Sequence, residues 1–326
     1  MNAAAQVIVV GSYNRDHVWR VDRFPQQGET RLGHGFVTGP GGKGYNQAVA
    51  CHRQGVATLF IASIGDDALG ARAREDARNE ALPCRWQVHR DRPTAATAVW
   101  VDDAGRNCIV VNPGANAALD ARFVEAQRDA FAGAKLLLLQ LETGIEALAA
   151  AIGLARAGGL LRVLDPAPVH PELTLTLLRE TDLITPNETE FALLCARFLD
   201  VEVDAGALAQ MSDATLHALA RRLAPDASVV ITLGHSGCFV SHPEQRRRGD
   251  AASCYRVAAE AVQAVDSTGA GDAFSGALAA ALLRFGDGPF EAMVRHANRA
   301  AALSTETVGA AATMPRYDDV TARFGH

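Results

Sequence analysis

The chain has 326 residues, 48% of them hydrophobic and 21% charged, with a formal net charge of −6. This length allows one large α/β domain or two ordinary ones, and a charge balance without basic bias argues against nucleic acid as the main partner. No apolar run approaches the ~20 residues of a membrane-spanning helix, so we expect no membrane partner. The six cysteines include no Cys-x-x-Cys pair and indicate reduced thiols, so we expect a cytoplasmic protein.

The first predicted element is a short apolar run, Gln6–Val10, which is typical of a buried central strand. Asn14 and Asp16 follow at its carboxyl end, the place where α/β sheets bind their ligands. We therefore expect both side chains to hydrogen-bond a polar ligand. A turn held by the same two side chains explains them equally well in isolation.

Two insertions interrupt the core pattern and predict a lid. Residues 17–22 and 30–38 read as exposed strands that follow the first core strand. Thr97–Asp102 and Arg106–Val111 form a predicted hairpin that no helix follows. We expect the two insertions, at about 13–38 and 96–112, to form one small β-sheet that covers the site.

Between the insertions, a glycine-rich loop at 39–46 leads into a predicted helix, Gln47–Gln54. The loop is not a P-loop, because Lys43 is followed by Gly44 rather than by Ser or Thr. Glycines permit the backbone to approach a ligand closely, and Lys43 and Asn46 supply hydrogen-bond donors. A glycine hinge beneath a mobile lid is compatible with the same residues.

After residue 116 the chain alternates short strands with helices, which predicts an α/β domain with a mostly parallel sheet. The predicted strands are Leu136–Leu141, Leu160–Leu164, Asp182–Thr185 and Val229–Thr232. The predicted helices are Ile145–Ala157, 188–198, Phe290–Thr305 and Asp318–Phe324.

The stretch with the clearest chemical content is Val265–Phe274, a glycine-rich turn that runs into a predicted helix, Ala273–Phe285. Backbone N–H groups of such a turn and helix start form an anion site suited to a transferring phosphoryl group. Asp272 lies where this site meets the helix, so its carboxylate is placed to take a proton from an attacking hydroxyl. An Asp that merely caps the helix is the alternative that this stretch alone leaves open.

Two of these stretches resemble the signatures of the PfkB carbohydrate kinase family, and within it the ribokinases. They read Gly-Gly-Lys-Gly-Tyr-Asn-Gln-Ala at 41–48 and Asp-Ser-Thr-Gly-Ala-Gly-Asp at 266–272, with supporting motifs in order at 11–16, 24–30, 114–119, 185–190 and 231–234. The resemblance covers nearly the whole chain. It implies one ribokinase-like three-layer α/β/α domain over 1–326, with a small β-sheet lid, that phosphorylates D-ribose at O5 with ATP.

The same resemblance implies roles for individual residues. Asp272 is expected to be the general base, beside an anion hole supplied by Gly269, Ala270 and Gly271. The sugar is expected to be held by Asn14, Asp16, Gly42, Lys43, Asn46 and Glu142. The nucleotide and its magnesium shell are expected at Asn187, Glu190, Thr232, Gly234, Gly237, Gly271 and Asn298. A monovalent cation is expected at Asp266, Thr268, Ser304, Thr307, Gly309 and Thr313.

The implied cofactors are Mg²⁺ with ATP and an activating K⁺, and the implied partner is a second copy of the chain that pairs through the lid. Arg15 and Tyr45 depart from the residues usual in the family. They either pack against the lid or a partner subunit, or change the size or polarity of the pocket. Asn298 also stands where some relatives carry His.

Three other functions remain open at this stage: a family kinase for another pentose or a nucleoside, a kinase for a sugar phosphate, and a sugar-binding protein without catalysis. A sugar phosphate calls for extra basic residues near the lid, where Arg15 and Arg31 are the candidates. Intact Asp272, the glycines beside it and the Asn187–Glu190 pair argue against a protein that has lost its chemistry.

Overall fold

The computed structural model describes residues 5–325. Its strands are β1 (Val7–Val10), β2 (Asn14–Val21), β3 (Gly35–Gly41), β4 (Thr58–Gly65), β5 (Cys84–His89), β6 (Ala96–Asp102), β7 (Asn107–Asn112), β8 (Leu136–Leu139), β9 (Leu161–Leu164), β10 (Leu183–Ile184), β11 (Ser228–Thr232), β12 (Cys238–Ser241) and β13 (Cys254–Val257). Its α-helices are α1 (Lys43–Arg53), α2 (Ala68–Asn79), α3 (Ala121–Glu125), α4 (Arg128–Phe131), α5 (Ile145–Gly158), α6 (Leu175–Arg179), α7 (Glu188–Leu199), α8 (Asp213–Leu223), α9 (Ala270–Arg284), α10 (Phe290–Ser304) and α11 (Tyr317–Phe324).

A nine-stranded sheet forms the middle layer, in the order β13-β12-β11-β10-β9-β8-β1-β4-β5. Neighbouring strands from β5 to β11 run parallel, and only the pairs β11–β12 and β12–β13 are antiparallel. From β1 the chain first builds outward to β4 and β5, and then returns to place β8 on the other side of β1. The chain connections that leave the carboxyl ends of β1 and β8 therefore run toward opposite edges of the sheet, and such a point opens a crevice for ligands.

Helices cover both faces of this sheet, because β1 alternates its side chains between two cores. Val7 and Val9 face a cluster that includes α1, α2, α9 and α10, while Ile8 and Val10 face a cluster that includes α3, α5, α7 and α8. All four side chains are fully buried, as expected for a central parallel strand. The expected three-layer α/β/α architecture is confirmed. Within residues 5–325, no helix combines the length and the apolar character needed to cross a membrane.

A separate four-stranded sheet, in the order β3-β2-β6-β7, forms the lid. Its outer pairs are antiparallel, whereas β2 and β6 at its centre run parallel. The two predicted insertions therefore pair with each other as expected, although they do so through parallel strands. The first of them extends to Gly41, beyond the predicted end near residue 38.

Several predicted boundaries are wrong near the site. The first lid strand begins at Asn14, earlier than the predicted start at residue 17, so Asn14 and Asp16 lie on β2. The glycine loop is shorter than predicted, because β3 continues to Gly41 and α1 already begins at Lys43. Helix α9 likewise begins at Ala270, so the glycine turn and the helix start overlap. The strands β5, β12 and β13 and the helices α3, α4, α6 and α8 were not among the predicted elements.

Candidate active site

Asp272 lies in the first turn of α9, and both of its carboxylate oxygens accept hydrogen bonds from α1. Asn46 Nδ2 donates to Oδ2 at 2.9 Å, and Gln47 Nε2 donates to Oδ1 at 2.9 Å. The Asp272 side chain is buried, with 5% of its surface exposed. Asn46 Oδ1 is buried without a hydrogen-bond partner in residues 5–325. The arrangement presents an oriented carboxylate beside an acceptor that a ligand hydroxyl can satisfy.

The start of α9 offers main-chain donors beside this carboxylate. Gly269 precedes the helix with φ 78°, and no side chain caps the helix. The N–H of Ala270 donates to Ser267 O at 3.2 Å, whereas the N–H groups of Gly271 and Asp272 have no hydrogen-bond partner in the part of the chain that the structure describes. Free N–H groups and the positive end of the helix dipole favour an anion here.

A second carboxylate, Asp165, lies behind Asp272. Gln47 Nε2 donates to Asp165 Oδ2 at 2.7 Å as well as to Asp272, so one amide bridges the two carboxylates. Gln140 Nε2 donates to Gln47 Oε1 at 2.6 Å, which fixes the orientation of that amide. Burial raises the pKa of Asp165 well above its usual range, although the charge of Lys43 opposes the rise.

Glu142, beyond the end of β8, holds the start of α1 in place. Its carboxylate accepts from the main-chain N–H of Lys43 at 2.9 Å and from the hydroxyl of Ser12. Gly42 precedes the helix with φ 87°, and a Cβ there would stand 2.7 Å from the main-chain nitrogen of Asn14. Only glycine allows the lid strand and the helix start to approach this closely.

The ammonium group of Lys43 is near enough to four carboxylates to respond to their charges, and it has no hydrogen bond or ion pair within residues 5–325. Burial alone would lower the pKa of Lys43, but the charges of Asp272, Asp165, Glu142 and Glu190 raise it overall. Lys43 is therefore a firmly charged cation in the site. Such a cation suits a ligand that brings negative charge, as a polyphosphate does.

The lid contributes Asn14 and Asp16 from β2. Asn14 Oδ1 accepts from Asn116 Nδ2 at 2.8 Å, which leaves the Asn14 amide donors for a ligand. Burial raises the pKa of Asp16 to about 6; nearby Thr97 opposes the rise and Glu142 adds to it. Asp16 thus faces the same space as the carboxylates of the domain body.

Asn187 and Glu190 form a capping box at the start of α7. Glu190 N–H donates to Asn187 Oδ1 at 2.9 Å, and Asn187 N–H donates to Glu190 Oε2 at 2.9 Å. Burial raises the pKa of Glu190, while the Asn187 N–H and the charge of Lys43 oppose the rise. Asn187 also bridges to Thr232 at the end of β11, and Gly234 lies two residues further along the chain. These residues therefore line the crevice at the carboxyl ends of the strands, on the side of β10 and β11.

Gly237 and Asn298 meet at one segment after β13. A Cβ on Gly237, which has φ 83°, would stand 2.0 Å from the main-chain oxygen of Val257. Asn298 Nδ2 donates to the main-chain oxygen of Ala258 at 2.7 Å. The structure brings these two predicted nucleotide residues together, with the Asn298 side chain tied to that segment.

The predicted cation residues meet in two joined loops. Asp266 accepts from Thr268 N–H at 2.9 Å and from Gly309 N–H at 3.0 Å. The Thr313 hydroxyl donates to Gly309 O at 3.2 Å, and the Ser304 hydroxyl bonds within its own helix. Main-chain oxygens are therefore the ligands that these loops offer. The first loop carries Asp266 and Thr268, and the second carries Ser304, Thr307, Gly309 and Thr313.

Both unusual residues of the signatures point away from this site. Arg15 pairs with Asp76 of α2 at 3.1 Å and donates to Thr38 Oγ1 at 2.8 Å. Tyr45 is fully buried, with its ring 5.3 Å from that of Tyr13 in an edge-to-face contact. Of the two interpretations made from the sequence, packing is therefore the correct one, although it involves the domain body as well as the lid.

Sequence reasoning missed four residues that belong to the site. Gln47 follows Asn46 in the first signature, and Asp165 closes β9 at a strand end, so both had a usable signal. Asn116 lies in one of the supporting motifs. Thr97 had no signal, because only the strand register places it beside Asp16.

Comparison with known proteins places this geometry among sugar kinases. The profile of the pfkB family carbohydrate kinases matches residues 4–316. The ribokinase of Haemophilus influenzae is 34% identical over 94% of this chain and 94% of its own, and the ribokinase of Mus musculus is 32% identical over 97% and 94%. A structure of Arabidopsis thaliana ribokinase complexed with ribose and ATP has a TM-score of 0.83 and 26% identity, and the match covers 98% of each chain.

Proposed function

This chain belongs to the pfkB family of carbohydrate kinases, and on that basis we propose that it transfers the γ-phosphoryl group of ATP to O5 of D-ribose. The observation that carries the proposal is the buried Asp272, oriented by two amides beside the free N–H groups at the start of α9. Relatives that are more than 30% identical over nearly their whole length are named ribokinases, which supports ribose as the substrate.

The chemistry is an in-line transfer between two oxygens. Asp272 accepts the proton of the sugar O5–H while that oxygen forms a bond to the γ-phosphorus, and the bond from phosphorus to the β–γ bridging oxygen breaks to leave ADP. Charge on the transferring group is met by the N–H groups of Gly271 and Asp272 and by the ammonium of Lys43. Positioning supplies most of the remaining acceleration.

The sugar is held between the lid and the domain body. Asn14 and Asp16 approach from β2, while Asn46 offers its unpaired Oδ1 and Lys43 its ammonium group from α1. Glu142 has one carboxylate oxygen engaged by Lys43 N–H and keeps the other for a sugar hydroxyl. Gly42 lets the backbone approach closely, and a closed lid excludes water that would otherwise accept the phosphoryl group.

The nucleotide follows the crevice from Lys43 across Asn187, Glu190, Thr232 and Gly234 to the segment that joins Gly237 and Asn298. The donor set fits magnesium bound mainly through ATP. Within residues 5–325 no three acidic, His or Cys side chains are arranged to hold a metal ion by themselves, and Glu190 with Asn187 supplies one or two oxygen contacts. Bound with ATP, magnesium would neutralise charge on the phosphate oxygens.

A potassium ion is proposed at the two loops that Asp266 joins. The fit rests on main-chain oxygens brought together by the hydrogen bonds of Asp266 and Thr313. Because Gly269 follows these loops directly, their shape sets the orientation of the N–H groups of α9. Activity should therefore rise with potassium without any contact between the ion and the sugar.

We also propose a homodimer that forms through the lid. Strands β3 and β7 are free edges of the lid sheet, and they expose Phe36, Val37, Ile109 and Val110. Exposed apolar edge strands are ordinarily covered. Light scattering should show a dimer for the wild type and for a Leu193→Asp control on α7, and a monomer for Val110→Asp. A monomeric wild type would remove the idea.

A cytoplasmic location accompanies this proposal. All six cysteines are free thiols, and burial raises the pKa of Cys51 and of Cys238 to about 12. Thiols in this state fit a reducing compartment. Cell fractionation with an antibody against the chain tests the location.

A sugar phosphate is the less favoured substrate, because its two basic candidates are engaged elsewhere. Arg15 pairs with Asp76, and Arg31 pairs with Asp22 and Glu29. Neither guanidinium is left to bind a second phosphate in the pocket.

The experiment is an ADP-release assay with ATP and magnesium on D-ribose, 2-deoxyribose, fructose, fructose 6-phosphate and common nucleosides. Each substrate is assayed with potassium and with a bulky organic cation in its place. We expect the highest kcat/KM on ribose and a higher rate with potassium. Activity confined to another substrate would overturn the sugar assignment while keeping the mechanism, and no ADP release from any substrate would overturn the kinase assignment.

A further inference from the structure

One row of residues crosses the lid sheet on the side that faces the site. The strand register places Asp16 beside Gly39 on β3 and beside Thr97 on β6, and Thr97 beside Val111 on β7. Paired residues of neighbouring strands present their side chains on the same face of a sheet. The Asp16 carboxylate lies against the chain just before α1, because a Cβ on Gly41 would stand 2.0 Å from Asp16 Oδ2, so this face is the one turned to the sugar.

Thr97 carries a buried hydroxyl group beside the Asp16 carboxylate, close enough to lower the pKa of that acid but without a well-formed hydrogen bond to it. Only 6% of its surface is exposed, and its Oγ1 has no hydrogen-bond partner among residues 5–325. Thr94, three residues earlier, shows the ordinary case, because its hydroxyl donates to Asp67 at 2.7 Å and accepts from Gly65 N–H at 2.9 Å. Since buried polar groups are nearly always paired, the Thr97 hydroxyl and the Asp16 carboxylate beside it fit one ligand group that bonds to both.

The chemistry of the pair selects that partner. An ionised carboxylate only accepts hydrogen bonds, whereas the Thr97 hydroxyl also has a proton to donate. A sugar hydroxyl satisfies both at once, because its own proton goes to Asp16 and its oxygen accepts from Thr97. Gly39 carries no side chain, and a Cβ there would meet open space, so the row leaves room beside Asp16.

We propose that Thr97 determines sugar specificity by binding, together with Asp16, one secondary hydroxyl of the ring. This proposal rests on the proposed function. The phosphorylated hydroxyl lies at Asp272 on the domain body, so the hydroxyl at the lid is a different one. A sugar without it leaves two buried polar groups unpaired, and sites of this kind discriminate strongly against deoxy analogues.

The test compares the wild type with Thr97→Val, which keeps the shape and removes the hydroxyl, and with Thr97→Ser, which restores it. Thr38→Val is the matched control, since Thr38 lies on the opposite face of the lid and bonds Arg15. Values of kcat and KM are measured on ribose, 2-deoxyribose and 3-deoxyribose. If the wild type accepts a different sugar, that sugar and its deoxy analogues are used instead.

We expect Thr97→Val to raise KM for ribose about tenfold, as the loss of one hydrogen bond does, with kcat unchanged. On one of the two deoxy sugars the wild type and Thr97→Val should have the same KM, because the hydroxyl in question is missing. Thr97→Ser and Thr38→Val should remain close to the wild type on ribose. An unchanged KM for ribose in Thr97→Val, or an equal loss on all three sugars, would overturn the proposal. A wild type inactive on every sugar would instead overturn the proposed function.

Discussion

Asp272 receives one amide N–H on each carboxylate oxygen, and the two amides come from consecutive residues of α1, Asn46 and Gln47. Each oxygen keeps a lone pair with which to accept a proton. Because α1 begins at the lid hinge and α9 lies in the domain body, the position of the base depends on the contact between these two helices. The local sequence around Asp272 therefore supplies the carboxylate, and a distant segment orients it.

Replacing Asp272 by Asn keeps the size of the side chain and removes its ability to take up a proton. We expect kcat to fall about 10²–10⁴-fold, the usual contribution of a general base, while ribose binding measured by calorimetry stays within a few fold. An unchanged melting temperature would exclude misfolding as the cause. Turnover near the wild-type rate would show that another group accepts the proton.

The Gln47 amide donates a hydrogen bond to each of two buried carboxylates, Asp165 and Asp272, and replacing Gln47 by Met removes this shared donor. We expect kcat to fall about tenfold with little change in KM, and the acid limb of the pH–rate profile to move to higher pH, because two unscreened carboxylates hold a proton between them more readily. Gln47→Glu, which adds a third carboxylate, should be more damaging. A normal kcat with an unmoved acid limb in Gln47→Met would mean that Gln47 only fills space.

At the scale of elements, the lid is attached to the body by specific side chains as well as by the chain itself. Arg15 on β2 pairs with Asp76 on α2, and Tyr13 donates to the same carboxylate at 2.6 Å. The pair is largely buried, with 15% and 17% of the two side chains exposed. It therefore links the first lid strand to the helix layer next to the hinge.

We expect Arg15→Ala and Asp76→Ala each to lower the free energy of unfolding, and the double variant to lose about 1 kcal/mol less than the sum of the two. Preference between ribose and 2-deoxyribose should not change, because Arg15 points away from the pocket. Urea unfolding and the ratio of kcat/KM values measure the two effects. A changed sugar preference in Arg15→Ala would mean that this residue does shape the pocket.

For the whole molecule, two buried histidines make stability depend on pH. Burial lowers the pKa of His242 and of His296 to about 4, and their rings pack against Phe290 in the first case and Phe285 in the second. The unfolded histidines take up protons near pH 6.5, whereas the folded ones do so only near pH 4. Their contribution is therefore complete above about pH 6.5 and is lost as the pH falls toward 4.

We expect the melting temperature to fall between pH 7 and pH 5, with each histidine accounting for on the order of 2 kcal/mol at pH 5. Asp16, with its pKa raised to about 6, acts in the opposite sense, so variants are needed to separate the two effects. His242→Asn and His296→Asn should each flatten the dependence, and His34→Gln at an exposed position should not. The same slope in all four proteins would contradict this origin.

The sequence alone determined the fold class, the lid and most of the candidate residues, because strand patterns, glycine turns and the two signatures are local. It also indicated that Lys43, Asn46 and Asp272 act together, which the hydrogen bond between Asn46 and Asp272 and the effect of Asp272 on the pKa of Lys43 support. The roles of individual residues remain predictions until the variants are measured. The starts of α1 and α9 were predicted too late, because the glycines next to them look like loop in the sequence, whereas the starts of α5, α7 and α10 were predicted correctly.

Tertiary structure decided what depends on contacts between distant segments. Gln47 and Asp165 are 118 positions apart, and their hydrogen bond exists only because α1 packs beside the end of β9. The sequence left open whether the side chains of Arg15 and Tyr45 enter the pocket. Both point away from it, because Arg15 pairs with Asp76 and Tyr45 packs against the ring of Tyr13. The unpaired hydroxyl of Thr97 depends on the register of β2 and β6, because a shift of one residue would turn it to the other face of the lid.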